Sequence, residues 1–202
     1  MIETVISDLG NVLLKFDNTI YFRAMTRYTD RSVEEIRAVT HDNLDLLVLF
    51  EKGVVSPFDF YKNAKDLLAI TAGYEEFYAA YCDVFSLVPS VRDLYRRLKT
   101  KTRMILLSNT DIVRWTFIKS KFPEILFFDD YVLSFDVGAM KPQPEIYLEA
   151  MRAGGAKPER TVFIDDMPEN VAGAERMGMK GIVFGEGLDL AAELRKLDKD
   201  LK

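Results

Sequence analysis

Three short apolar runs, widely separated in the chain, each end on residues able to do chemistry. Thr4-Val5-Ile6-Ser7 leads into Asp8-Leu9-Gly10-Asn11, Met104-Ile105-Leu106-Leu107 into Ser108-Asn109-Thr110, and Val162-Phe163-Ile164 into Asp165-Asp166. Apolar runs of this length, separated by helical stretches, are the pattern of parallel strands buried on both faces. The expected fold class is therefore α/β with a parallel sheet. In such sheets ligands bind at the carboxyl edge, so the residues that end these runs are expected on one rim.

A fourth segment, Gly138-Ala139-Met140-Lys141-Pro142, precedes a helical pattern that begins near Gln143 or Pro144. Taken singly, each feature has an ordinary explanation. Asp8, Gly10 and Asn11 suit a turn, Ser108-Asn109-Thr110 suits a helix cap, and Asp165-Asp166 suits a helix amino end. Taken in order, they assemble the parts needed to transfer a phosphoryl group. A carboxylate such as Asp8 can attack phosphorus, provided a divalent cation bound by Asp8 and the later acidic pair screens the two anions. Ser108 and Asn109 can donate hydrogen bonds to phosphoryl oxygens, and Lys141 adds a compact positive charge. Carboxylate, water and phosphate oxygens form a hard set that suits Mg2+. No Cys/His cluster suggests zinc.

These motifs resemble those of the haloacid dehalogenase (HAD) superfamily. Asp8-Leu9-Gly10-Asn11-Val12-Leu13 is similar to its first motif, Ser108-Asn109-Thr110 to its second, Lys141 to its third and Asp165-Asp166 to its fourth. The segments from Phe127 to Tyr147 and from Asp165 to Asn170 resemble the subfamily of sugar-phosphate phosphatases and the phosphatase domain of soluble epoxide hydrolases. The resemblance implies a Rossmann-like HAD core with a small inserted helical cap. It further implies that Asp8 is nucleophile and magnesium ligand, that the Gly10 carbonyl and Asp166 complete the ligand set, and that Asp165 lies in or beside it. Ser108 and Asn109 would hold the phosphoryl group, and Lys141 would stabilise it.

One position departs from the family pattern. Most phosphatases of the superfamily carry a second Asp two residues after the nucleophile, where it protonates the leaving group and then activates water. Here that residue is Gly10. A positioned acid-base group contributes roughly a hundred- to ten-thousand-fold, so activated esters such as sugar 1-phosphates or acyl phosphates are expected to be favoured over simple alkyl ones. Asp17, His41, Asp42 and Asp45 are candidates for a substitute acid.

The cap is expected over residues 16–88, inserted after the first strand of a core formed by residues 1–15 and 89–202. Ser32-Val33-Glu34-Glu35 is a capping-box pattern, Ser56-Pro57 is a cap followed by a first-turn proline, and Tyr74, Phe77, Tyr78 and Tyr81 continue at helical spacing. Glu51-Lys52-Gly53 suits a turn between two of the cap helices, and Leu188 to Lys202 a terminal helix. The net charge of −5 argues against a nucleic-acid partner, which calls for a basic footprint. No apolar run is long enough for a membrane span. With Cys82 as the single cysteine, no intrachain disulfide can form and a cytoplasmic home is expected. The expected activity is Mg2+-dependent hydrolysis of a small phosphate ester, with a sugar phosphate as substrate. The alternatives are a 2-haloacid dehalogenase, whose first motif normally carries an aromatic residue where Gly10 stands, and a weakly catalytic binding module.

Overall fold

The computed structural model describes residues 1–201. The chain begins with β1 (Thr4–Ser7) and a short strand β2 (Leu14–Phe16), and then forms five helices: α1 (Asn18–Met25), α2 (Val33–Asp42), α3 (Leu44–Glu51), α4 (Pro57–Leu68) and α5 (Tyr74–Cys82). Strand β3 (Phe85–Leu87) follows, then α6 (Pro89–Leu98), β4 (Arg103–Ser108), α7 (Ile112–Lys121), β5 (Asp130–Leu133) and the single turn α8 (Ser134–Val137). The chain closes with α9 (Pro144–Gly154), β6 (Thr161–Asp165), α10 (Pro168–Arg176), β7 (Lys180–Val183) and α11 (Leu190–Leu197).

Strands β5, β4, β1, β6 and β7 form, in that order, one parallel sheet. Successive side chains of a strand point to opposite faces, and the core is divided accordingly. Val5, Met104, Leu106, Val162 and Ile164 face one cluster with Tyr95 of α6, Trp115 of α7 and Leu194 of α11. Ile6, Ile105, Leu107 and Phe163 face the other, with Tyr147 of α9 and Ala174 of α10. Covered on both faces, the central strands have no need of polar alternation. That explains why they read as continuous apolar runs.

Register places the site. Ser7 lies opposite Leu106 of β4 and Ile164 of β6. One residue further, Asp8 therefore emerges between the carboxyl ends of its two neighbours, beside Ser108 on one side and Asp165-Asp166 on the other.

The five inserted helices have their own apolar cluster, which includes Tyr21, Met25, Ile36, Phe50, Phe60, Phe77 and Tyr81. Its entry and exit are tied together by the antiparallel pairing of β2 with β3, Leu14 opposite Leu87 and Phe16 opposite Phe85. Local signals start the helices as their side chains require. Ser32 and Glu35 form a reciprocal capping box on α2, and Ser56 caps α4 ahead of Pro57. The tyrosine stripe of α5 packs inward at Tyr78 and Tyr81, while Tyr74 is exposed. The terminal helix is shorter than the 188–202 expected from sequence, spanning Leu190–Leu197, and Lys202 lies outside the described residues.

The insert also touches the sheet's carboxyl edge directly. Gly53, just past α3, has φ +69°, and a Cβ there would collide with the carbonyl oxygen of Phe135 in α8. Beside it the Ser134 hydroxyl donates to the Glu51 carbonyl oxygen at 2.6 Å. Glycine thus serves twice at this position, tolerating a left-handed turn and allowing close approach of two backbones. Among the described residues, no helix is long and apolar enough to cross a membrane.

Candidate active site

Lys141 is the centre of the rim. Its side chain is 2% exposed, and Nζ lies 2.6 Å from Asp8 Oδ1 and 2.7 Å from Asp165 Oδ2. A third donor bond runs to the Leu107 carbonyl at 3.2 Å. All three ammonium donors are thereby placed. Burial opposes the lysine's charge, but the Asp8 and Asp165 carboxylates outweigh it and hold its pKa above the usual lysine value. Burial pushes the Asp8 carboxyl up, Lys141 draws it back, and Asp165 adds to the rise. One ammonium is therefore asked to balance more than one buried carboxylate.

Asp165 is fully buried, and both its oxygens are occupied. Oδ2 accepts from Lys141, while Oδ1 accepts from the Met167 N–H at 2.8 Å and from Asn170 Nδ2 at 3.0 Å. Asp166 is more open, and its Oδ2 accepts from Asn11 Nδ2 at 2.9 Å. Asn11 itself sits at φ 53°, in the left-handed turn that carries the chain out of β1. Asp8, Asp165 and Asp166 each offer an oxygen within 4.8 Å of the others. Three carboxylates against one ammonium leave a local deficit of positive charge, and all the donor atoms are hard oxygens. Both facts fit a divalent cation of the magnesium type. The set is of the kind expected from sequence, with Asp165 the member already committed to holding Lys141.

Ser108 is buried at the end of β4, with its hydroxyl 3.4 Å from the Asn109 carbonyl. The Asn109 side chain makes contacts that the sequence did not suggest. Its side-chain amide donates to the Lys141 carbonyl at 3.1 Å, and its Oδ1 accepts from the Lys141 N–H at 2.8 Å. The Asn109 side chain is therefore a two-point clamp on the backbone of the lysine. The cap of α7 is supplied one residue beyond Thr110, by Asp111, whose Oδ1 accepts from the Val113 and Arg114 N–H groups.

These residues line a cavity of about 220 Å³ whose walls include Asp8, Gly10, Ser108, Asn109, Lys141 and Asp166. The inserted helices and α7 supply two further charged walls, Glu51 and Arg114. The Arg114 guanidinium lies 4.0 Å from the centre of the Tyr81 ring, and Nη2 donates to Asn18 Oδ1 at 3.1 Å. Among the described residues, its buried Nε has no partner. Glu51 is largely enclosed, and burial pushes its carboxyl up to about 7 against the pull of Arg114. Arg114 also borders a second, mainly apolar cavity of about 70 Å³ inside the inserted helices.

The four candidate substitute acids are not on these walls. Asp17 caps α1 by accepting from the Thr19 N–H. His41 and Asp42 lie side by side at 78% and 77% exposure, and Asp45 is exposed as well. Sequence reading missed Glu51 because a glutamate ending a helix before Lys-Gly usually faces solvent. It missed Arg114 as well, although a cation in the first turn of α7 opposes the helix dipole and so invited a search for a partner.

Known proteins resemble the chain along most of its length. The family model described as haloacid dehalogenase-like hydrolase matches residues 2–178. A D-ribitol-5-phosphate phosphatase of Bacteroides thetaiotaomicron is 25% identical over 201 residues, covering 96% of this chain and 97% of the relative. The bifunctional epoxide hydrolase 2 of Rattus norvegicus is 40% identical over 72 residues, 36% of this chain but only 12% of that protein. Among solved structures, a HAD family enzyme of Bacteroides thetaiotaomicron in complex with magnesium and inorganic phosphate superposes with a TM-score of 0.84 at 24% identity, covering 96% of this chain and 100% of the other. The chain belongs to the haloacid dehalogenase-like hydrolase family.

Proposed function

We propose that this protein is a magnesium-dependent phosphatase of small phosphorylated metabolites, of the sugar or polyol phosphate class, working through an aspartyl-phosphate on Asp8. The observation that carries the reading is the Asp8–Lys141–Asp165 chain at the wall of a cavity that also presents Asp166. It holds a nucleophilic carboxylate beside a fixed cation, where an anionic phosphate must enter. A neighbouring relative named for D-ribitol 5-phosphate supports the substrate class.

In this reading Asp8 attacks phosphorus and the ester P–O bond breaks, releasing the alcohol. Water then attacks phosphorus, the bond to Asp8 breaks, and the carboxylate is restored with inorganic phosphate. Lys141 offsets the charge that builds between Asp8 and the phosphoryl oxygens. Asp165 and the Asn109 amide keep Lys141 in place, from the side chain and from the backbone respectively. The Ser108 hydroxyl and the N–H of Asn109 donate to phosphoryl oxygens. Asp8, the Gly10 carbonyl and Asp166 would hold the cation, which when bound screens the repulsion between nucleophile and substrate. The helices of residues 16–88 act as a cap over a core of residues 1–15 and 89–202, excluding water and selecting the substrate. A haloacid dehalogenase would have no use for the third carboxylate, and a pure binding module would have no use for Asp8.

Gly10 and the relative's name pull in different directions on the leaving group. With no acid at position 10, an anomeric or acyl phosphate is favoured, whereas D-ribitol 5-phosphate is an unactivated alkyl ester. The deciding experiment measures phosphate release from sugar 1-phosphates, sugar and polyol 5- and 6-phosphates and acyl phosphates, with magnesium and with chelator, for wild type and Asp8→Asn. Magnesium-dependent turnover abolished by Asp8→Asn is the expected result. Release that survives Asp8→Asn, or no release from any ester, would defeat the proposal.

A further inference from the structure

The phosphatase reading leaves a proton unaccounted for. An alkyl leaving group departs as an alkoxide unless it is protonated, and the attacking water must lose a proton in the second step. Gly10 can do neither. The ionisable residues on the cavity wall are Asp8, Asp166, Lys141, Arg114 and Glu51. Asp8 is the nucleophile, Asp166 is set aside as a cation ligand, and Lys141 has its donors on two carboxylates and a carbonyl. Arg114 keeps its proton at any working pH. Glu51 is the carboxyl that remains.

Its placement is a built feature of the fold. The Ser134 hydroxyl donates to the Glu51 carbonyl oxygen at 2.6 Å and also accepts from the Thr110 N–H at 2.9 Å. One serine therefore ties the end of α3 to the segment that follows Ser108-Asn109. Two residues on, Gly53 lets the chain approach Phe135 more closely than any side chain would permit. The backbone is pinned at the site, and burial acts on the Glu51 carboxyl more strongly than any of its charged surroundings does. Those surroundings are Arg114 of α7, Asp111 at its N-cap, Lys141 before α9, and Asp8 after β1.

We propose that Glu51, delivered by the inserted helices, is the acid and base that Gly10 cannot be. This rests on the phosphatase reading and deepens it. As Asp8 attacks phosphorus and the P–O ester bond breaks, the Glu51 carboxyl passes its proton to the departing oxygen and becomes a carboxylate. In the second step that carboxylate takes a proton from water, whose oxygen bonds to phosphorus as the P–O bond to Asp8 breaks. Asp8 is freed as a carboxylate, phosphate is released, and Glu51 is again protonated. Burial, which raises the Glu51 carboxyl to about 7, keeps a usable fraction in each form near neutrality.

The test compares wild type with Glu51→Gln on D-ribitol 5-phosphate, an alkyl ester, and on p-nitrophenyl phosphate, whose leaving group needs no proton. Wild-type turnover lost in Asp8→Asn decides the phosphatase reading by itself, and the ratio of Glu51→Gln to wild type decides this one. The expected result is a loss in kcat/KM, which reports the step that expels the alcohol, of roughly a hundred- to ten-thousand-fold on the alkyl ester, a much smaller loss on the aryl ester, and removal of the basic limb of the pH profile. Gly10→Asp added to Glu51→Gln should recover alkyl turnover once the Phe16 ring, 3.3 Å from a Cβ at position 10, gives by a few tenths of an ångström. Equal losses in kcat/KM on the two esters, or no loss on either, would overturn the assignment.

Discussion

Glu51 offers a test that requires no substrate. Its carboxyl has an ordinary value of 4.5 and is raised to about 7 in the folded protein. Below pH 4.5 both folded and unfolded chains carry the proton, and the site costs nothing. Between 4.5 and 7 the unfolded chain has lost its proton and the folded chain has not, so stability falls as pH rises. Above 7 both forms are ionised and the penalty is constant. With these two values linkage gives a penalty of about 1 kcal/mol at pH 5 and about 3 kcal/mol at pH 8, a difference of roughly 2 to 3 kcal/mol. Glutamine has the same shape and cannot ionise. Glu51→Gln should therefore gain that difference in stability relative to wild type on going from pH 5 to pH 8. Urea unfolding of both proteins at several pH values, with chelator present throughout so that no metal binding intervenes, reads it directly. The pH dependence contributed by Asp8 is common to both proteins and cancels. A gap between wild type and variant that does not change with pH would mean that Glu51 titrates as a solvated carboxylate. The account of its enclosure would then be wrong.

Other perturbations follow from the same geometry. Gly53→Ala combines a positive φ with a backbone collision, and should cost about 1 to 3 kcal/mol while lowering kcat, checked by urea unfolding beside steady-state kinetics. Lys141→Met strands two buried carboxylates, which costs about 3 to 5 kcal/mol when one partner of a buried pair is removed; metal-free unfolding at pH 8 measures it, and turnover should vanish. Magnesium at about a hundred times its dissociation constant should stabilise wild type by about 2.7 kcal/mol, visible as a shift in thermal midpoint, and Asp166→Ala should abolish that shift.

Much of this architecture was legible in the chain because it depends on local rules. A strand covered on both faces must be apolar throughout, so β1, β4 and β6 announced themselves, and the residues that end them had to meet at one edge. The capping serines and first-turn prolines of the insert marked helix starts for the same reason. What stayed hidden was long-range. Nothing near Asn109 indicates that its amide would close on the backbone of Lys141, 32 residues away. Glu51 reads as an ordinary helix end, since its enclosure depends on Ser134, 83 residues further along. As residues Asp165 and Asp166 look equivalent; the family resemblance sets Asp166 apart as the ligand, and the partners Met167, Asn170 and Asn11 show how differently the two are held. Sequence patterns record which face a residue prefers, and they are silent on which distant surface will cover it.

The bond between Ser134 and Glu51 has a kinetic consequence. It is one of several fastenings of a door, beside Tyr81 to Asp111 and Arg114 to Asn18, and the reagent is mounted on the door. In the proposed mechanism, swinging the insert away to admit or release ligand would break that bond and withdraw the carboxyl, leaving the phosphorylated intermediate of an open molecule with no partner to activate water. Hydrolysis is then confined to the shut state, and an opened intermediate waits rather than discharging to bulk solvent. A neutral hydrogen bond is worth only about 1 kcal/mol net, weak enough to be undone at every turnover. The frequency of that unfastening, more than the speed of proton transfer, would then set how quickly the chamber exchanges its contents.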